Sequence, residues 1–548
     1  MEQGRRRPSP CRCHCGASFK PNSTKKRGTL ISKGKSMFVA LATATAVLLA
    51  GCAGGDTAAS SGEPAGEPVS GGTLRALELA QPSGFDPVQV FSSTSMPITF
   101  TALYGQFLVP DTKTGQYDCG LCKSFTTTDQ GATWEVVTRE GLTFSDGTPF
   151  NAAAIKYNWD RMKDPKFGSA SAGIANQIDH IEVVDEQTAK VVMAVPTPGF
   201  KGLMPIYSLQ WIASPTALEK GQAEFNKNPI GAGPFLFDNW VPNGTLKLKK
   251  NPGYYDAPKP YLDALEIQGV SDNAQRLNAL ISGQADTILN SEASIFAEGE
   301  SAGFKKVEYQ FNGGVGLMLN NAKAPFNDVR ARQALAYALD LNSLSDSITR
   351  GYPSAPKTLF TEGSPLYEDI PLATHDPDKA QKLFDELAAE GKPVNFSYTV
   401  FPGNGQLVFD ALQSQLQKYK NVTVTPDQRD TSQQGVVGTK GDYQALTSSM
   451  AFVDPGSRLW GQLHGSAERT NYSRFNDPET SAALDAGFSD DPAKQKEQYK
   501  IVQERLSELH PYILYTAYLS GLLTTDKVHG AVVYGYTSPA AADLWLQP

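Results

Sequence analysis

The sequence predicts an α/β fold in which helices cross over between parallel strands. The stretch 394–425 reads VNFSYTV, then LVFDALQSQLQKYK after a short gap, then NVTVT, which is strand, helix, strand; Val408, Leu412, Leu416 and Tyr419 share one helical face. Units of this kind build parallel sheets whose ligand crevice lies at the carboxyl ends of the strands. Elsewhere the apolar period switches repeatedly between the strand and helix repeats. About 480 residues follow a polar linker near the start, enough for two or three domains.

The chain opens on a leader. Lys25, Lys26, Arg27, Lys33 and Lys35 precede MFVALATATAVLLA, 14 residues without a charge. Basic residues before a short apolar run are the layout of a cleaved signal peptide, and the run is shorter than the roughly 20 residues of a membrane-spanning helix. Leu49-Ala50-Gly51-Cys52 resembles the bacterial lipobox, in which small residues fit the signal peptidase and the cysteine takes a lipid. On this resemblance 1–51 is leader and lipoprotein signal peptide, and Cys52 is the lipidation site. The segments RRRPSP and CRCHC lie upstream of an ordinary basic region and point to a start at Leu30. A zinc site at Cys11, Cys13, His14 and Cys15 lacks the second separated ligand pair such sites show. Residues 52–69 are the anchored cysteine and a flexible tether, with a span of roughly 25 Å.

Removing the leader changes the charge. The whole chain carries −8; residues 1–51 carry ten Lys or Arg against one Glu, so the chain from Cys52 carries −17. Phosphate binding needs a basic face, so nucleic acid is not an expected partner.

The body begins at GGTLRALELA, an alternating strand with one buried face. In NAAAIKYNWDRM, Ala152, Ile155, Trp159 and Met162 form one helical stripe behind Asn151 as N-cap. HIEVVDEQTAKVVMAVP reads as two strands around a polar turn, and Asp376-Pro377 opens a helix with Ala380, Leu383, Phe384 and Leu387 inward and Gly391 at its end. No internal repeat appears.

Catalytic patterns are scarce. The histidines of the body, His180, His375, His464, His510 and His529, show no HExxH spacing, and there is no GxSxG elbow, P-loop or GxGxxG after a strand. No catalytic residue, metal ligand or cofactor is expected, although a dispersed carboxylate pair leaves no motif. Cys119-Gly-Leu-Cys122 is a CxxC after a polar turn rather than at a helix start, which favours a small structural disulfide over redox or metal chemistry.

Several motifs in order resemble the bacterial extracellular solute-binding proteins of family 5, receptors of peptide and nickel ABC transporters. They are TWEVVTREGLTFSDGTPFNAAAIKYNWDRM, NPIGAGPFLFDNW, LKLKKNPGYYDAPKPYLDALEI, RLNALISGQADTI and LNNAKAPFNDVRARQALAYALDLNSL. Each also has a plain physical role: a turn at Asp146-Gly147, close backbone approach at Gly231 and Gly233, tight helix packing at Ala331, Ala334 and Ala338. The resemblance implies a periplasmic-binding-protein type II-like fold, two lobes on a hinge plus an extra small domain. Its parts would be lobe I at 70–96, 229–308 and 511–548, the small domain at 97–228, and lobe III at 309–510.

The implied function is an extracytoplasmic receptor, not an enzyme, that closes on peptides or peptide-like solutes between its lobes and passes them to an ABC permease. It would be a monomer held by lipid at the outer face of the cytoplasmic membrane. The alternatives are a non-peptide solute, such as a metal chelate or sugar, or an adhesion or signalling module on the same fold. In peptide-binding members an aspartate pairs with the ligand's α-amine; the matching position here holds Ala451, so an amine would lack its counter-ion. Asp454, Phe452, Arg458 and Trp460 follow on that segment as ligand-binding candidates, and Phe91, Ser93 and Met96 lie where lobe I would meet the ligand. A packing role is the alternative for each.

Overall fold

The computed structural model describes residues 66–90, 93–110, 117–349, 355–430, 433–467, 470–489, 491–536 and 538–548. Cys52, most of its tether and Phe91 lie outside them. Three sheets organise the body.

The first has seven strands in the order Lys305–Gln310, Leu519–Thr524, Thr287–Asn290, Thr73–Glu78, Ala264–Gly269, Leu246–Lys250, Phe235–Trp240. Thr73–Glu78 is parallel to both neighbours. The sequence predicts one buried face for it, yet Leu74, Ala76, Leu77 and Glu78 are all buried. A central strand of a sheet covered on both sides hides both faces.

The second sheet has five strands: Val422–Gln428, Val394–Val400, Ala445–Ser449, Val315–Leu319, Tyr512–Thr516. Val394–Val400 and Val422–Gln428 are parallel, and helix Gly405–Leu416 between them buries Val408, Leu412 and Leu416 as the sequence predicts. The sheet's two faces feed separate cores. Leu317, Leu319, Tyr398, Ile513 and Tyr515 point to one, and Met318, Leu446, Tyr512 and Leu514 to the other.

The third sheet is four antiparallel strands, Cys122–Thr126, Thr133–Thr138, Thr188–Met193 and Ile178–Val183. Helix Ala152–Lys163 packs on it, and Ala152, Ile155, Trp159 and Met162 are fully buried. The Asn151 side chain accepts from Ala154 N at 3.0 Å. Asn151→Ala is therefore expected to cost about 1 kcal/mol, read as a lowered melting temperature. Cys119 and Cys122 are joined by a disulfide at the edge of this sheet.

One buried ion pair ties helix Ala152–Lys163 to the segment that follows strand Thr73–Glu78. The Arg161 guanidinium grips Asp86 through two bonds of 2.9 and 2.7 Å, with the carboxylate wholly shielded from solvent. Nearby the backbones of Gly231 and Gly233 press on helix Pro97–Tyr104, where an added Cβ would collide with the carbonyls of Leu103 and Ala102. That is the close approach expected from the sequence.

The chain passes from the first sheet to the second through 311–314 and returns through 517–518. The two crossings touch: Phe311 N donates to Tyr518 O at 3.0 Å. Rings of Tyr309, Tyr518 and Tyr536 sit 4.8–5.1 Å from Phe311. Two short adjacent crossings between packed bodies are the geometry of a hinge. Among the described residues no helix is long and apolar enough to cross a membrane.

Candidate ligand-binding site

Two cavities lie on opposite faces of the five-stranded sheet. The larger, about 710 Å³, opens between the strand ends of the first and second sheets and reaches the return crossing at Thr516–Leu519. Tyr398, Thr447 and Tyr515 line it, their hydroxyls linked at 2.7 and 2.8 Å. The charged side chains among its described lining are Asp272, Glu292 and Glu298. Among the described lining these carboxylates favour a neutral or cationic group over an anion.

The smaller cavity, about 230 Å³, separates the small domain from the second lobe. Arg458, Trp460 and Gln462 on helix Pro455–Leu463, with Tyr512 and Met318 from the sheet, form one wall. Ile174, Gln177, Leu203 and Tyr207 of the small domain form the other. Arg458 Nη2 and Gln462 Nε2 both donate to the Ser449 carbonyl at 2.9 Å. That shared acceptor ties both side chains to the end of strand Ala445–Ser449.

Three buried polar atoms here have no hydrogen-bond partner among the described residues: Arg458 Nε, Gln462 Oε1 and Gln177 Oε1. No ion pair reaches Arg458 among the described residues. Buried polar groups are almost always satisfied, so three unpartnered atoms in one cavity make it the candidate ligand site. Burial pushes the hydroxyls of Tyr512, Tyr518 and Tyr536 up, and the positive charge of Arg458 opposes that rise in all three. The guanidinium thus lies among phenols rather than carboxylates.

The candidate residues fall into distinct places. Arg458 and Trp460 meet in the smaller cavity. Trp460 is stacked on His464 at 4.6 Å and donates to Asp485 at 2.9 Å. Asp454 lies one turn earlier, capping the helix through Gly456 N, and lines a separate cavity of about 430 Å³ with Lys201. Phe452 packs in the core against Phe360, with ring centres 5.4 Å apart, and Met96 is buried beside helix Pro97–Tyr104. Ser93 begins a short helical turn, Ser93–Ser95. Ala451 is buried next to Phe311 and Val453, and its carbonyl accepts from Tyr536 Oη at 2.8 Å.

Sequence reasoning did not single out Gln177 or Gln462, since glutamine carries no motif. One signal was present for Gln462: it follows Arg458 by four residues, on the same helical face.

Glu78 holds the segment that leads to Met96. Its buried carboxylate accepts from Ile98 N at 2.7 Å and Thr99 Oγ1 at 2.5 Å. Burial pushes it up to about 7 against an ordinary value of 4.5. The folded chain then keeps a proton that the unfolded chain releases above 4.5, so stability falls as pH rises from about 4.5 to 7 and levels off above that. A change on the order of 3 kcal/mol is expected across that window. Glu78→Gln should flatten this slope in melting curves taken from pH 4.5 to 7.5.

The family model for bacterial extracellular solute-binding proteins, family 5 Middle, matches residues 116–469. The glutathione-binding protein GsiB of Shigella flexneri serotype 5b is 27% identical over 418 residues, covering 72% of this chain and 79% of that protein. GsiB of Escherichia coli strain K12 is 28% identical over 414 residues, with the same coverage. Among solved structures, AgaA from A. tumefaciens R10 in complex with agropinic acid superposes with a TM-score of 0.70 at 24% identity, over 87% of this chain and 99% of that one. DppA from Helicobacter pylori in complex with peptide STSA gives 0.69 at 20% identity, over 88% and 99%. These likenesses bear out the type II periplasmic-binding-protein fold. With the family model spanning most of the body, the chain belongs to the bacterial extracellular solute-binding proteins of family 5.

Proposed function

We propose that this protein is the receptor of an ABC importer and captures a peptide-like solute bearing a carboxylate in the cavity walled by Arg458, Gln462 and Gln177. One observation carries the reading: a guanidinium Nε and two amide oxygens, all buried in one cavity, lack partners among the described residues. A carboxylate satisfies the first, and amide or amine N–H groups satisfy the other two, which is the polar content of a short peptide. The glutathione-binding relatives and the peptide held by the Helicobacter pylori structure support the same class.

The ligand does not depend on a free α-amine. Ala451 stands where the resemblance implies an aspartate, and an aspartate there would be buried among apolar side chains. N-blocked or unusually linked peptides therefore bind as well as ordinary ones. The cavity of about 230 Å³ falls below the roughly 300–1,000 Å³ of typical ligand sites, so a tripeptide enters only as the walls part. The crossings at 311–314 and 517–518 support lobe boundaries there, rather than at 309 and 511.

A lipid on Cys52 holds the monomer at the outer face of the membrane, and the closed form engages the permease without catalysing any reaction. The mass of the N-terminal peptide from the producing cell tests the anchor, since a diacylglyceryl group adds a discrete increment. Thermal shift of the full chain with free and N-acetylated tripeptides, glutathione among them, tests the ligand class. Comparable upward shifts for the free and N-acetylated forms are expected; shifts only with sugars or metal chelates would replace the peptide reading.

A further inference from the structure

The small domain meets the second lobe at one tight point flanked by cavities. The turn at Gly199 and helix Phe200–Leu203 press against the cap of helix Pro455–Leu463. Ser457 Oγ bonds the Gly199 carbonyl and lies 2.8 Å from Asp454 Oδ2. A Cβ on Gly202 would collide with Asp454 Oδ2, and one on Gly199 would come within 2.7 Å of Ser457 Cα. Only glycine allows this approach.

Around the point the interface is poorly satisfied. On one side lie the unpartnered atoms of Arg458, Gln462 and Gln177; on the other, in the cavity of about 430 Å³, the hydroxyls of Tyr117 and Tyr499 also lack partners among the described residues. Asp454 and Lys201 share that second cavity, and burial raises the first and lowers the second. An interface that leaves so many polar groups without a protein partner is costly to hold shut, because each is freely solvated when it opens. The Arg161–Asp86 pair fixes the small domain to the first lobe, so hinge motion between the lobes separates this contact.

We infer that Gly199, Gly202, Asp454 and Ser457 form a latch that stops closure at a fixed angle, and that it stays shut only when a ligand supplies partners on the Arg458 side. The inference rests on the proposed ligand site, and places a contact at the rim of that site, where Gly199 and Ser457 also line it, in control of affinity. Gly202 is a positioning residue.

Hydrogen exchange of the full chain without ligand tests the latch independently of what the ligand is. The amides of Gly202 and Gly456 should exchange at least 100-fold faster than those of the core strands Thr188–Met193 and Val315–Leu319. Exchange at the same rate as those strands would overturn the latch and make the contact a permanent interface. Ser457→Ala, which removes the tether without a clash, should speed exchange at Gly202 and Gly456 at least tenfold and leave the strands unchanged; an unchanged rate at the two glycines counts against it. Gly202→Ala should weaken glutathione or tripeptide binding at least tenfold through faster release, and unaltered binding would also overturn it. If no tripeptide binds the unaltered chain, the ligand reading fails, while the exchange rates still decide the latch.

Discussion

Arg458→Met is expected to lower affinity for a carboxylate-bearing tripeptide by about 2–5 kcal/mol, roughly thirty- to several-thousand-fold, when titrated by calorimetry. The guanidinium is held by the Ser449 carbonyl at 2.9 Å and sits among Tyr512, Tyr518 and Tyr536 rather than acids. The side chain is half-buried, with only its Nε shielded and unpartnered. The same substitution removes that unsatisfied donor, so it should leave the melting temperature of the ligand-free chain unchanged or slightly raised while it removes binding. This contrast separates a binding residue from a packing residue, whose loss would lower both. Arg458→Lys should recover part of the affinity, since lysine keeps the charge but loses the planar fork.

Arg161→Ala is expected to have the largest effect on stability, about 3–5 kcal/mol, because it strands the Asp86 carboxylate in the interior. Asp86 is fully shielded, accepts both guanidinium bonds, and also caps the turn Pro87–Gln89 through Val88 N. Scanning calorimetry should show the first transition moving down sharply. The paired change Asp86→Leu with Arg161→Met should recover most of the loss, as apolar isosteres often do for buried pairs. If the single variant melts like the unaltered chain, the small domain is not fixed to the first lobe through this pair, and the motion assigned to the latch loses its support.

Much of the fold was legible because local chemistry and tertiary packing agree. Asn151 caps the helix its stripe predicted, Asp376 accepts from Lys379 N at the head of helix Pro377–Ala389, and Val394–Val400 pairs in parallel with Val422–Gln428. Gly231 and Gly233 mark in the sequence the close approach they make to helix Pro97–Tyr104. The strand Thr73–Glu78 was legible as a strand but not as a central one, since burial of its second face depends on neighbours more than 180 residues away.

The site was legible only in part. Arg458 and Trp460 stood out as a cation and a ring beside a family segment, and they do share a cavity. Phe452 and Met96 lie on the same segments but point into cores, because a side chain's direction is set by packing that sequence does not carry. Gln177 was invisible: it comes from the small domain, 281 residues before Arg458, and its meaning arises only from the cavity both share.

Native mass spectrometry of the full chain, as purified and again after denaturation and refolding, identifies what the protein carries. A released adduct, or a distribution of adducts, with peptide masses is expected, lost on refolding and restored by N-acetylated as well as free tripeptides. A single non-peptide mass, or no adduct together with no binding of any tripeptide, would contradict the peptide reading.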